Sequence, residues 1–452
     1  MSEGSLAAPI RHPVAWQDPD FTNMEKIEAE LERVFDICHG CRRCFNLCDS
    51  FPTLFDLIDH SESGELDSVA KADYKPVVDA CTLCDMCFMV SCPYVPPHEF
   101  DVDFPHLMLR YRAAELAQGK EDKWIKQLTK TDRNGRLASK VAGLANWGSD
   151  LSNGLTRGAL EKLAGVSRQA ALPKYHRRTF AQQADAAPLS VNDQAPAFGR
   201  KAVLYATCFV NYNNPDIGAA TRAILAKNGV ATEVVYPACC GMPQLEQGDY
   251  AQVASQARRV TQELLHWVDQ GYAVVALVPS CALMLKFEWP LILPDDDDVA
   301  RLSKATFDVT EYVVDLAGKE GLVAGLTPFD GPLAVHIACH ARAQNMGNKA
   351  REMLKLIPGQ KIKQLPRCSG HGGSWGIMKD NFDTALKVGK PVARDVLKSQ
   401  PVHVASECPL AGVHILQGMA RIAEEQGDKT TQIPTRAYHP IELFALAYGL
   451  EI

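Results

Sequence analysis

Thr232-Glu233-Val234-Val235-Tyr236-Pro237-Ala238-Cys239-Cys240-Gly241-Met242-Pro243 reads as a strand that runs straight into a pair of adjacent cysteines. Working outward, Ala202–Ala206 is a second strand candidate, followed by Cys208, and Tyr272–Val278 is a third, followed by Cys281. Helical segments lie between them. Asn214-Pro215 has the signature of an N-cap with proline at the first helical position, Gly229 closes that helix, and Gln252–Asp269 is a longer one. Strand and helix in alternation predict an α/β unit with a mainly parallel sheet.

The succession recurs at Leu333–Ala338, Ala350–Ile357, Lys361–Leu365, Phe382–Lys398 and Val402–Ala405. Cys339, Cys368 and Cys408 fall at its strand ends, 131, 129 and 127 residues after Cys208, Cys239 and Cys281. Three cysteines at so constant an offset predict an internal duplication. Open α/β sheets bind ligands outside the carboxyl ends of their strands, so each half brings its thiols to one crevice, the place for a metal or cluster. The bland alternative for any single residue is a buried structural cysteine. The first half offers four thiols, Cys208, Cys239, Cys240 and Cys281. The second has Ser369 where the paired cysteine would stand and keeps three, with His336, His340 and His371 as candidates for a further ligand.

Eight of the fifteen cysteines lie elsewhere, in two tight runs: Cys38, Cys41, Cys44, Cys48 and Cys81, Cys84, Cys87, Cys92. This is C-x2-C-x2-C-x3-C followed by C-x2-C-x2-C-x4-C-Pro. Such spacing sets three thiolates around one iron–sulfur cube while the fourth reaches to a second. The expected sets are Cys38, Cys41, Cys44 with Cys92, and Cys81, Cys84, Cys87 with Cys48. Disulfides need an oxidising compartment, and Met1–Asp20 has no apolar h-region, so export is not expected and the location reads as cytoplasmic. Structural zinc pairs two distant C-x2-C knuckles and does not crowd three ligands onto one loop.

The remaining chain supports these units. Residues 22–37 read as a helix with Ile27, Leu31, Val34 and Phe35 on one face, residues 50–80 as helical, and Leu107–Gln118 as a helix. His98, Asp101, Asp103 and His106 read as a polar, proline-braced loop and not a site. Residues 1–100 carry a net charge of −11, whereas residues 120–178 carry 13 Lys+Arg against 5 Asp+Glu, a basic helical linker read as solvated. Overall net charge is −7, which argues against nucleic-acid binding. The most apolar stretch, Ala273–Leu285, is too short to span a bilayer, so no transmembrane segment is expected. The fold class expected is α+β and multidomain. It has a helical two-cluster ferredoxin-like domain (1–115), a helical basic linker (116–198) and two cysteine-rich α/β domains (199–328 and 329–452), the second degenerate.

With these residues in view, the chain resembles the cysteine-rich CCG-domain iron–sulfur oxidoreductases. That family includes heterodisulfide reductase catalytic subunits, the C subunit of anaerobic glycerol-3-phosphate dehydrogenase, and iron–sulfur subunits of glycolate and lactate oxidases. Cys239–Pro243, Cys368–Gly376 and Tyr438–Leu443 carry the likeness to the glycerol-3-phosphate type, and Cys92–Met108 resembles a rubrerythrin-linked subgroup. The likeness covers about residues 36–110 and 200–450. It implies two 4Fe-4S clusters on the eight N-terminal cysteines, a further iron–sulfur cluster on Cys208, Cys239, Cys240 and Cys281, and iron–sulfur or zinc on Cys339, Cys368 and Cys408. Heterodisulfide reductase uses five cysteines in each CCG domain; here Met284 stands at the fifth position of the first, and Ser369 and Ala411 replace two in the second. The implied role is electron relay between a flavoprotein dehydrogenase or rubrerythrin-like partner and a quinone or other acceptor, with a partner holding the chain at the inner face of the membrane. No G-x-G-x-x-G follows a strand, so a flavin belongs to a partner. Two other readings are a thiol/disulfide redox enzyme at the first CCG site and a metal-bearing interaction platform. No catalytic residue is assigned.

Overall fold

The computed structural model describes Ser5 and residues 7–451. Its first helix, Met24–Cys41, is capped by Asn23, whose side chain accepts from the Lys26 N–H at 3.2 Å. It buries Ile27, Leu31, Val34 and Phe35, the face its periodicity predicts, and its last turns carry Cys38 and Cys41. Helix Ser50–Asp59 buries Phe51, Leu54, Phe55 and Ile58 against it. Residues 50–80 are not helical throughout. Ser61–Ser68 is polar apart from Leu66, so little burial offsets the entropy of ordering a helix there, and regular helix resumes only at Lys75–Asp79. Helix Phe104–Ala117 starts three residues before its predicted beginning because Asp103 caps it, accepting from the His106 N–H at 3.1 Å.

Among the described residues, seven strands follow. β1 (Lys201–Tyr205), β2 (Ala231–Val235), β3 (Ala273–Ala276) and β4 (Thr306–Asp308) form one sheet in the order β2-β1-β3-β4. β5 (Leu333–His336), β6 (Ile362–Leu365) and β7 (His403–Ser406) form another in the order β6-β5-β7. Every pairing within both sheets is parallel, with Val203 opposite Glu233 and Val274, and Val335 opposite Gln364 and Ala405. In each sheet the first strand in sequence sits between the second and the third. Ala202–Tyr205 and Leu333–His336 are wholly buried because helices cover both faces. The fold is thus α+β with mainly parallel sheets.

Residues 116–198 form the short helices Lys123–Leu128, Thr131–Lys140, Ala142–Ser149, Gly154–Ala164 and Phe180–Ala186. Thr131–Lys140 packs closely on the first sheet's loops: a Cβ on Gly135 would lie 2.3 Å from the Tyr212 ring. One apolar core runs from Ile27 and Leu31 through Leu204 and Val275 to Leu333 and Phe444, so the N-terminal helices and the sheets are packed together.

Candidate metal centres

The cysteines sit where the topology aims them. Cys208, the Cys239-Cys240 pair and Cys281 follow β1, β2 and β3 within five residues, and Cys339, Cys368 and Cys408 follow β5, β6 and β7 within three. Because all these strands are parallel, each trio of loops meets at one sheet edge.

At the first edge the four thiols form a continuous chain, with Cys239, Cys240 and Cys281 buried and Cys208 half-buried. Cys239 Sγ lies 3.8 Å from Cys208 Sγ, Cys240 contacts Cys239, and Cys281 contacts Cys240. Hydrogen bonding with Cys208 and Cys240 holds the Cys239 thiol well below its ordinary range, while the same contacts, with burial, push Cys208 and Cys240 well above. The surrounding backbone is fixed by side chains. The Trp289 indole donates to Cys240 O at 3.1 Å and the Tyr205 hydroxyl to Ala238 O at 2.7 Å. Asp132, from the basic segment, accepts from the Cys239 N–H at 3.1 Å and from the Tyr236 hydroxyl. Thr207, with φ of 56°, holds a strained conformation just before Cys208, and its hydroxyl caps the short helix Cys208–Tyr212. Met284, at the position of the fifth cysteine, is fully buried in the apolar core.

Cys38, Cys41, Cys44 and Cys92 line a single narrow recess, together with Phe51, Phe55 and Tyr94. In the other set, Cys48 lies within electrostatic reach of Cys84 and Cys81, and Cys87 within reach of Cys84, Cys81 and Cys48. The structure thus brings these eight residues into two neighbouring groups, with Cys44 also within reach of Cys87 and Cys368 of Cys48. Burial, then neighbouring thiols, pushes Cys38, Cys48 and Cys87 well above the ordinary thiol range. Among the seven described non-glycine residues with positive φ, four adjoin a cysteine: Arg42, Leu83, Asp85 and Thr207. Strain of this kind concentrates at functional sites, where it turns side chains inward.

The donor sets fit iron–sulfur clusters. At Cys368 the Gly370 N–H donates to Sγ at 3.3 Å. The amide two residues on is likewise turned to the sulfur of Cys48, Cys81, Cys84, Cys92 and Cys239. Amide dipoles aimed at sulfur favour thiolate, and buried thiolates in number need compensating cationic charge. Among the described residues no three Cys, His, Asp or Glu side chains converge as a single metal ion requires.

At the second edge Cys339 lies within electrostatic reach of Cys368 and Cys408, and Cys84 within reach of Cys339 and Cys368. Two of the three candidate histidines are committed elsewhere. His336 contacts the Ser406 hydroxyl at 2.8 Å and Arg367 O at 3.1 Å, using both ring nitrogens. His340 Nε2 meets Leu83 O at 3.1 Å. His371 Nε2 has no partner, and burial, then His414, lowers its pKa to about 3. The Cys368–His371 loop is closely packed: Gly370 has φ of 78°, and a Cβ there would lie 1.9 Å from Ala385 O. Glu246, buried against Gly373 and within reach of Cys408, is pushed by burial to a pKa of about 7.

The four groups lie in succession. Cys44 and Cys87 connect the first recess to the second set, and Cys84 and Cys368 connect that set to the second edge. Helix Cys339–Ala343 packs on helix Pro279–Leu283, which carries Cys281, and Gln344 donates to Pro279 O at 3.2 Å. Arg112 ties the N-terminal unit to the first sheet, donating to Cys81 O at 2.6 Å, Val78 O at 2.7 Å and Glu246 O at 2.9 Å.

A buried ion cluster braces the same junction. Arg11 reaches Asp103 at 2.8 Å, Asp85 at 2.9 Å and Glu288 at 3.3 Å, and His106 meets Glu288 at 3.2 Å. The polar loop is thus two things: Asp103 and His106 belong to this cluster, while Asp101 pairs with His12 and the His98 ring packs on Tyr94 and Phe100.

The cysteine-rich CCG domain profile matches residues 202–286, the segment from β1 past Cys281. Lactate utilization protein A of Geobacillus kaustophilus is 30% identical over 188 residues, which span 39% of this chain and 74% of that protein. The chain belongs to the CCG-domain, cysteine-rich iron–sulfur oxidoreductase family. It is also similar to the C subunit of the anaerobic glycerol-3-phosphate dehydrogenase of Escherichia coli K12, at 26% identity over 71% of this chain and 76% of that protein. The B subunit of the fumarate reductase (CoM/CoB) of Methanothermobacter marburgensis is 24% identical over 56% of this chain and 47% of its own length. Among the described residues no helix is long and apolar enough to cross a membrane.

Asp132 gives this CCG site a local prediction. Asp132→Asn keeps the size of the side chain and removes a negative charge beside Cys239. If the site's four thiols hold a cluster, the expected result is a higher midpoint potential for its EPR signal; an unmoved midpoint would make Asp132 a purely structural brace.

Proposed function

We propose that the chain is an electron-relay subunit. In this reading Cys38, Cys41, Cys44, Cys92 and Cys81, Cys84, Cys87, Cys48 hold two 4Fe-4S clusters, and Cys208, Cys239, Cys240 and Cys281 hold a further one. Residues 329–452 are a degenerate copy of the first CCG domain, supported by the shared strand order and matching cysteine positions. Bound clusters supply one-electron transfer. The chain's own part is to order, bury and bias them: strained turns aim the thiols, amides face the sulfurs, and packed helices hold neighbouring groups in register.

The observation that carries the reading is that the cysteine groups neighbour one another: Cys44 lies within electrostatic reach of Cys87 and Cys368 of Cys84, and Gln344, just after the helix of Cys339, bonds to Pro279 at the start of the helix of Cys281. The relatives' names, a dehydrogenase subunit and a reductase subunit, support a multi-subunit setting. The donor is then a flavoprotein dehydrogenase and the acceptor a quinone or other carrier. The test is EPR-monitored reductive titration of anaerobically purified protein. Successive one-electron signals, two of them magnetically coupled, are expected; a single uncoupled signal would sink the relay.

A second reading, disulfide chemistry at the first CCG site, draws on the contiguous chain of four thiols there. It predicts an EPR change on adding a thiol substrate, whereas the pure relay predicts none.

A further inference from the structure

We propose that the exposed face of residues 123–163 is a docking surface for an anionic lipid bilayer. Among the described residues, eight of the seventeen large apolar side chains facing solvent fall in this stretch. Leu155 is 89% exposed, Leu163 67%, Leu144 65% and Trp147 59%. Leu137, Val141 and Leu144 recur at helical spacing, and Trp124 and Leu151 extend the apolar surface.

The exposure is not fraying. Helix Thr131–Lys140 is pinned on its inner side by Asp132 and Gly135, so Arg136, Leu137 and Lys140 are turned to solvent by the packing of the others. Buried Arg157 donates to Ser167 O and Ala170 O, both at 2.6 Å, and Asn146 donates to Tyr175 O at 2.9 Å. The apolar side chains are therefore held outward by a built scaffold.

Charge selects the occupant. Lys123, Lys126, Lys130, Arg136, Lys140 and Lys162 are exposed among the apolar side chains. The stretch holds three carboxylates, each engaged by a neighbour: Asp132 with Tyr236 and Cys239, Asp150 with Lys174 at 2.8 Å, and Glu161 with Arg168 at 3.0 Å. Protein interfaces are depleted in lysine. Lysine interleaved with Leu and Trp suits a headgroup region, where apolar side chains enter the acyl boundary and ammonium groups meet lipid phosphate. The docked face would also lie near the first CCG site, because Asp132 and Leu137 are five residues apart on one helix, about 7.5 Å along its axis.

The test is co-flotation of the anaerobically purified full chain with phosphatidylglycerol/phosphatidylethanolamine vesicles and with phosphatidylcholine vesicles. Selective binding to the anionic vesicles is expected, with a blue shift of tryptophan emission and loss at about 0.5 M salt. Leu144→Glu with Trp147→Glu should weaken binding at least about tenfold, and Lys140→Glu with Lys162→Glu should weaken it on anionic vesicles. Leu189→Glu, an exposed apolar position outside the stretch, should bind as the unaltered chain does. Absence of binding at low salt, or equal binding by the Leu144/Trp147 variant at an unchanged melting temperature, would overturn the proposal. So would gel filtration showing a dimer that the same variant splits, which would make a second copy the occupant. Binding is read without reference to iron, so this result is independent of the relay reading.

Discussion

With a cluster on Cys208, Cys239, Cys240 and Cys281, as proposed, Cys240→Ser is expected to lower the iron content of anaerobically purified protein from about twelve atoms per chain to about eight and to remove one EPR signal while sparing the coupled pair. Cys240 touches both Cys239 and Cys281, and its carbonyl is held by Trp289, so it occupies the middle of the four-thiol chain. A hydroxyl there is smaller and a poor iron ligand, yet it leaves the backbone geometry intact, so the loss is confined to the cluster. The second edge already carries the analogous change: Ser369 follows Cys368, is buried, and accepts from the His371 N–H at 3.4 Å. Reduction of a terminal acceptor should fall to background in this variant while reduction of the N-terminal clusters by dithionite persists. Iron remaining at about twelve would show that Cys240 holds no cluster.

Arg11→Met destabilises the fold by about 3–5 kcal/mol, because three carboxylates lose their common cation in a site with little water. The Arg11, Asp85 and Glu288 side chains are 11%, 7% and 5% exposed, and Arg11 also lies 4.3 Å from the Phe88 ring centroid. The cluster has a pH signature. Burial opposes ionisation of Asp103 and Glu288, but Arg11 and His106 outweigh it, so both carboxyls titrate below their ordinary range. Their contribution is present above the unfolded pKa values of about 4 and is lost as pH falls through the folded ones. His106 is shifted the other way: burial and Arg11 disfavour its cation, but Asp103 and Glu288 prevail and raise it. Its contribution is complete below about pH 6.5 and is lost as pH rises through the folded pKa. The cluster therefore stabilises most between about pH 4.5 and 6.5, a maximum that thermal melts across pH should show in the unaltered chain and that Arg11→Met should flatten. Equal melting temperatures for the two proteins across that window would remove the cluster from the account.

Local pattern made much of this molecule legible. Strands ending in cysteine stand out because apolar runs and thiols are both conspicuous, and six of the seven strands lie where the runs place them. β4 was not foreseen, since Thr306–Asp308 is too short to show alternation. The eight N-terminal cysteines stand out in the sequence because each run packs four thiols within a dozen residues, and the structure brings the two runs side by side. What joins distant segments was not legible. Asp132 sits in a stretch whose composition reads as a solvated linker, and only tertiary packing carries it to Cys239. Arg11, Asp85, Asp103 and Glu288 share no spacing at all. His336 looked available beside Cys339 until the β5–β7 pairing gave it Ser406.

Iron, acid-labile sulfide and zinc per chain after anaerobic purification show most directly whether the CCG site adds a cluster to the two proposed N-terminal ones. About twelve iron with matching sulfide and no stoichiometric zinc is expected; about eight iron with one zinc per chain would contradict it.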